Sequence, residues 1–246
     1  MLAEGGRKDH FDAGFDMNYA WGWLSALRRV FNGETVTVQP PALGTVAGDR
    51  PRNRVRTINR PVPVSTLFAA DSSEYAGLPA GKVKLRFTTN HDHSTEATPC
   101  KEFTNDRGAM AAYVASIFPH GGALIYSSQE VGYPEPINFF HYVPVDWTAK
   151  PEIYKEYQTL IRLYNEHPAL RKGKMTAYPD KDVLVFEKTD AAERFLVLVN
   201  VRNEPKTVNI PESWVGHASD DEVTGQNVKL DANLELAPYQ YLILAY

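Results

Sequence analysis

The sequence predicts an α/β fold joined to an all-β one, and two observations carry that expectation. Up to about residue 168, short apolar strands alternate with amphipathic helices, which is the pattern of parallel βαβ units. Beyond residue 169 the helical period gives way to brief β-rich runs divided by turn signals, the pattern of an antiparallel β-sandwich. With 246 residues, the chain is long enough for one large domain or two ordinary ones. The expected division is 1–168 and 169–246.

The elements come in this order. Met1-Leu2-Ala3 is apolar from the first residue and runs into Glu4-Gly5-Gly6, a strand end meeting a turn. Phe15-Asp16-Met17-Asn18-Tyr19 alternates as a second short strand. From Trp21 to Phe31 the residues Trp23, Leu24, Leu27, Val30 and Phe31 recur at helical spacing, and Asn32-Gly33 ends the helix. Residues 34–66 hold Pro40, Pro41, Pro51, Pro61 and Pro63 together with Arg50, Arg52, Arg54, Arg56 and Arg60. They predict an irregular insertion and a solvated basic surface.

A buried strand is expected at 83–88. A helix comes next at 105–118, with Met110, Tyr113, Val114 and Ile117 on one face. Gly121 to Tyr126 is a turn feeding another strand. The spacing of Ile153, Tyr157, Leu160, Ile161 and Tyr164 predicts a helix over 152–166 that ends near Pro168. The last β-rich runs are 183–186, 194–201, 207–210 and 241–244.

Composition excludes several classes. Hydrophobic residues at 43% and charged residues at 23% describe a globular chain with a sizeable core. A net charge of −4 argues against a partner held through phosphate contacts, and so against nucleic acid. No apolar run reaches membrane-spanning length, and no basic stretch leading into an apolar segment marks a signal peptide. Localisation stays open. Cys100 has no cysteine to pair with and no recognisable partner that would make it a nucleophile.

The most suggestive residues are Phe87-Thr88-Thr89-Asn90-His91-Asp92, an apolar approach delivering a His-Asp pair to a strand's end. In parallel α/β folds catalytic side chains collect at such ends. Asp92 is then a charge-bearing group and His91 a hydrogen-bond donor beside it. The plain alternative is the start of a loop, with Asp92 capping a downstream turn. His91 and His93 would share one face of a continuing strand, but no third metal ligand stands at recognisable spacing.

Taken in order, Leu2-Ala3-Glu4, Phe15 to Tyr19, Phe87 to Asp92, and Gly122-Ala123-Leu124-Ile125-Tyr126-Ser127-Ser128-Gln129-Glu130-Val131-Gly132, with a β-rich tail, resemble a known family. It is the C-terminal half of the α-amylase family, glycoside hydrolase family 13. The resemblance covers most of the chain except 34–66. It implies strands five to eight of a (β/α)8 TIM barrel followed by an antiparallel β-sandwich. It also implies hydrolysis of α-glucans such as starch and maltooligosaccharides with retention of configuration.

By the same resemblance Glu4 matches the general acid/base after the fifth strand. Asp92 matches the carboxylate that stabilises the transition state, and His91 its sugar-binding neighbour. A retaining glycosidase also needs a nucleophilic carboxylate about 5 Å from the acid. The family carries it in a Gly-x-Arg-x-Asp segment, and Asp49 beside Arg50 and Arg52 lacks that context. The expectation is therefore a C-terminal fragment, with Met1 an internal methionine and little activity of its own. No cofactor is expected in this chain, since the family's calcium site would lie in the N-terminal part. Self-association or pairing with an N-terminal half is the expected partnership. The competing reading is a non-catalytic carbohydrate-binding or scaffold protein, with Tyr133, Phe139, Phe140 and Tyr142 available to stack on sugar rings.

Overall fold

A computed structural model describes residues 1–38, 56–138 and 140–246. The elements run β1 (Leu2–Ala3), α1 (Asp9–Asp12), β2 (Met17–Tyr19), α2 (Trp21–Asn32), β3 (Glu34–Val38), β4 (Arg56–Arg60), α3 (Ser65–Tyr75), β5 (Val83–Arg86), α4 (Pro99–Glu102), α5 (Asp106–Ile117), β6 (Gly122–Ala123), α6 (Pro151–Glu166) and α7 (Pro168–Lys172). Strands β7 (Lys174–Tyr178), β8 (Val183–Thr189), β9 (Arg194–Asn200), β10 (Lys206–Asn209), β11 (Ala218–Asp220), β12 (Asn227–Lys229), β13 (Asn233–Leu236) and β14 (Tyr241–Ala245) complete the chain.

The first half is built on a four-stranded sheet in the order β1-β2-β5-β6, all neighbours parallel. Side chains alternate across it, as the strand period requires. Leu85 and Phe87 join Tyr19 in one apolar cluster, whereas Lys84 and Arg86 leave by the other face and are buried as well. Arg86 bonds Asp71 of α3 at 2.7 Å and lies over the Trp23 ring of α2, 4.0 Å from its centroid. A cation so deeply buried needs both a carboxylate and an aromatic face.

Helix α2 buries the apolar residues its spacing selects and ends at Gly33, whose φ of +76° suits a residue without a Cβ. The Asn105 side chain caps α5 by accepting from Gly108 N at 2.9 Å. That helix departs from expectation, because every residue from Gly108 to Ile117 is buried rather than one face. Its small residues, Ala109, Ala111, Ala112 and Ala115, let the sheet, α2 and α6 all press close. Pro168 does more than end α6: after an extended His167 it opens α7 at a position where its missing N–H costs nothing.

The expected irregular insertion is corrected at both ends. Residues 34–38 and 56–60 form an antiparallel pair, from Glu34 opposite Arg60 to Val38 opposite Arg56. The β-branched run Thr35-Val36-Thr37-Val38, with Thr57-Ile58, outweighs the proline-rich neighbourhood. Pro40, Pro41, Arg50, Pro51, Arg52 and Arg54 lie outside the described residues. Helix α3 opens at Ser65. Its buried positions, Leu67 and Asp71, include a charged residue, so no apolar helical period announced it.

The second half centres on an antiparallel sheet in the order β14-β9-β8-β7. One face, with Leu184, Phe186, Val197, Val199 and Ile243, joins a core shared with α5 and α6. The opposite face, with Val183, Val185, Leu196 and Leu198, is covered by Val208, Ile210, Trp214, Leu230 and Leu236. Those covering residues come from the short ladder of β10 with β13 and its connections. Burial on both faces explains why β8 and β9 read as unbroken apolar runs rather than alternating ones.

Candidate active site

Glu4 stands just after β1 and His91-Asp92 after β5, two strands with β2 between them. The loop after β1 is held against β2, since Tyr19 N donates to Gly5 O at 2.9 Å and Asn18 Nδ2 donates to Arg7 O at 2.7 Å. The loop after β5 is turned by Asn90. Its Oδ1 accepts from His93 N at 3.1 Å, and its carbonyl accepts from Ser94 N at 2.9 Å. Both loops thus rise from the carboxyl ends of parallel strands.

The result gathers the three residues singled out in the sequence. His91 Nε2 lies 2.8 Å from Glu4 Oε1 and 3.4 Å from Asp92 Oδ1. Each of the three offers a donor or acceptor atom within 4.8 Å of the others. Both carboxylates are exposed, open to a ligand arriving from solvent. The Asp92 side chain makes no cap hydrogen bond to the one-turn helix that begins at His93. His93 begins that helix instead of extending a strand, and it packs on Trp21 with ring centroids 5.5 Å apart. It therefore does not share a face with His91.

Beneath the carboxylates lies an aromatic floor that the motif did not announce. Tyr19, Trp21 and Phe87 pack mutually at 5.2–5.6 Å. Tyr19 senses the cluster above it. Burial, joined by the negative charges of Glu4 and Asp92, pushes its phenol above the ordinary value. The sequence signal was the alternation at 15–19, which identified a strand without saying which face met the site.

A second support comes from the segment after β6. Gln129 Nε2 donates to Tyr157 Oη at 3.1 Å, while its Oε1 accepts from Tyr126 N at 3.1 Å. The same Nε2 lies 3.5 Å from Thr88 Oγ1. One buried amide thus ties the β5 end, the segment after β6 and helix α6. Ser94 Oγ bonds His91 O at 3.1 Å and Ile137 O at 3.2 Å, joining the Asp92 turn to the loop at 133–150. Cys100 sits in α4, with Thr98 Oγ1 3.2 Å from its sulfur, apart from the cluster. Tyr133 is half-buried, Phe140 and Tyr142 are exposed, and Phe139 lies outside the described residues.

No protein-family profile matches the chain. A cyclomaltodextrinase from Geobacillus thermopakistaniensis is 28% identical over 100 residues, covering 38% of this chain and 17% of that protein. Among solved structures, the α-amylase from Geobacillus thermoleovorans complexed with acarbose superposes with a TM-score of 0.72. It is 15% identical, and the match covers 99% of this chain and 52% of that one. Cyclic α-maltosyl-(1→6)-maltose hydrolase from Arthrobacter globiformis gives a TM-score of 0.67 at 18% identity, covering 99% and 49%. The chain thus spans about half the length of the solved structures it matches. What it shares with them is the fold. The structural neighbours are the α-amylases that the sequence resembles, and the match agrees with a C-terminal region of that family.

Proposed function

We propose that the chain is the C-terminal part of an α-amylase-type retaining glycoside hydrolase acting on α-glucans. In this reading β1, β2, β5 and β6 are strands five to eight of a (β/α)8 barrel, with the β-sandwich domain beginning at residue 169. Glu4 is the general acid/base, Asp92 stabilises the transition state, and His91 hydrogen-bonds the sugar. One observation carries the reading: Glu4 and Asp92, far apart in sequence, converge on one imidazole at the carboxyl ends of parallel strands.

Glu4 protonates the oxygen of the departing sugar and later takes a proton from the attacking water. Asp92 accepts hydrogen bonds from ring hydroxyls as positive charge develops at the anomeric carbon. The His91 Nε2–H, turned to Glu4 in this structure, donates to a sugar hydroxyl. No aspartate of this sequence matches the nucleophile, so the expected activity of the chain by itself is small. The sheet edges β1 and β6 are where an N-terminal half, or a second copy, would pair.

The test is reducing-end release from maltoheptaose by the purified chain, alone and mixed with a separately expressed N-terminal half bearing a Gly-x-Arg-x-Asp strand. Background release alone and turnover on mixing are expected, with Glu4→Gln lowering the restored rate about 10²- to 10⁴-fold. Substantial turnover by the unmixed chain would overturn the proposed inactivity. An unchanged rate in Glu4→Gln would overturn its role.

A further inference from the structure

Lysine is almost never fully buried unless it is paired. Lys84 of β5 is only 3% exposed, and its side chain leaves the sheet on the face opposite Leu85. Its ammonium donates to Gly6 O at 3.1 Å and lies 5.8 Å from the centre of the Phe11 ring. Among the described residues no carboxylate forms an ion pair with it. The next outward charge on the strand is treated differently: Arg86 meets Asp71 at 2.7 Å and Glu74 at 3.3 Å. Burial pushes the Lys84 ammonium below its ordinary value. Glu74 opposes that shift, and the charges of Arg86 and Lys8 add to it.

Lys84 lines a cleft of about 210 Å³ together with Gly6, Lys8, Trp21, Ser73 and Glu74. Lys8 brings a second ammonium. It is exposed, its Nζ donates to Ala76 O at 2.6 Å, and it too has no ion pair among the described residues. The carboxylate in the wall, Glu74, is engaged elsewhere. Its Oε1 accepts from Trp23 N at 2.9 Å, and its Oε2 lies 3.3 Å from Arg86 Nη1. The cleft therefore presents two ammonium groups tied only to backbone carbonyls, with the exposed Ser73 hydroxyl as a further donor.

We infer that this cleft binds a phosphate group, held by the ammonium groups of Lys84 and Lys8 with Ser73 at its edge. Each ammonium keeps two donors beyond the one given to a carbonyl. Charge-assisted bonds from such donors to phosphate oxygens are of the stronger kind. A dianion matches two cations, where a halide would leave one of them unmatched. The anion also supplies the counter-charge that Lys84 lacks, so binding offsets the cost of its burial. The volume falls below the roughly 300–1,000 Å³ of sites for drug-sized ligands, so the phosphate arrives free or on a small ester. Lys84 holds Gly6 O, two residues beyond Glu4, and the site therefore touches the loop that carries the proposed acid. Phosphate recognition here does not depend on the α-glucan reading.

The experiment is thermal melting and calorimetry of the full chain at neutral pH with inorganic phosphate and with glycerol 1-phosphate, each compared with sodium chloride at equal ionic strength. A dissociation constant of about 1 mM would raise Tm by about 3–5 °C at ~10 mM ligand. Chloride should give no comparable rise. Lys84→Met should abolish the response, and Lys8→Met should weaken binding roughly tenfold. Methionine keeps most of the buried stem of Lys84 while removing its unpaired charge, so without phosphate that variant should melt no lower than the parent. Lys8→Glu changes an exposed residue and should also abolish binding, which decides the matter even if Lys84→Met fails to fold. Tighter binding of the ester would assign the site to a phosphorylated small molecule, and tighter binding of the free ion to inorganic phosphate. If neither raises Tm beyond chloride, or if the Lys8 variants respond like the parent, the phosphate site is wrong, while the α-glucan reading stands or falls on its own test.

Discussion

The two halves of the molecule treat buried polar groups in opposite ways. In the antiparallel half, Asn200 is fully buried and every polar atom of its side chain is used. Its Nδ2 donates to Glu204 O, Leu236 O and Ala237 O, and its Oδ1 accepts from Arg202 N. In the parallel half, Asn18 Oδ1, Thr89 Oγ1 and Asn90 Nδ2 are buried without a partner. Among the described residues, all such unpartnered atoms fall between residues 18 and 130. Native interiors satisfy nearly all their polar groups, and exceptions gather where a fold serves chemistry rather than stability. The carboxyl end of the parallel sheet, where the proposed site lies, is among the places where such atoms are left unpaired.

The largest effect should come from breaking the satisfied side of this contrast. Asn200→Leu would remove the side-chain partner of the Glu204, Leu236 and Ala237 carbonyls and of the Arg202 N–H, of which the Leu236 carbonyl belongs to a buried residue. A buried group left unpaired costs about 1–3 kcal/mol and the water-accessible ones less, so a loss of about 3 kcal/mol is expected, read as a drop in the urea midpoint. A change below about 1 kcal/mol would mean that the network is incidental and that the halves do not differ in this way.

A titration gives the next effect. Lys188 of β8 is fully buried and donates to Pro119 O at 2.7 Å. Burial pushes its ammonium down to about 8 from an ordinary 10.5. Between those values the unfolded chain holds a proton that the folded chain has released, so stability rises with pH there. A gain of about 2 kcal/mol is expected between pH 8 and 10. Lys188→Met should abolish that slope, as denaturant melts across the range would show. Above pH 10 the buried phenols of Tyr157 and Tyr241, pushed up by burial, act in the opposite sense. There the unfolded chain ionises first and stability falls.

Legibility in the sequence tracks the same division. Helices α2 and α6 could be read because their buried residues are apolar and recur at 3.6-residue spacing. Strands β8 and β9 could be read because both their faces are buried. Helix α3 could not, since one of its two buried residues is Asp71, set there to meet Arg86 of the next strand. Strands β11, β12 and β13 are short and largely exposed, and nothing in their composition separates them from loops. In the site, Glu4, His91 and Asp92 were visible through a motif. The floor of Tyr19 and Trp21 and the Ser94–Ile137 tether were not, because each depends on a contact between strands or loops that no local pattern encodes.

The smallest effect is the most discriminating. Thr89 precedes Asn90, is nearly fully buried, and its hydroxyl finds no partner. Thr89→Val keeps the shape and the β-branched stiffness of a strand-end residue while removing only the hydroxyl. If that hydroxyl is desolvated without compensation, the variant should be more stable by about 1 kcal/mol. The same change at a satisfied threonine would destabilise. A gain in melting temperature together with weaker maltoheptaose binding would show stability being given up for recognition at this strand end. A loss of stability would show that the hydroxyl is satisfied in solution, and the contrast between the halves would fail within the motif itself.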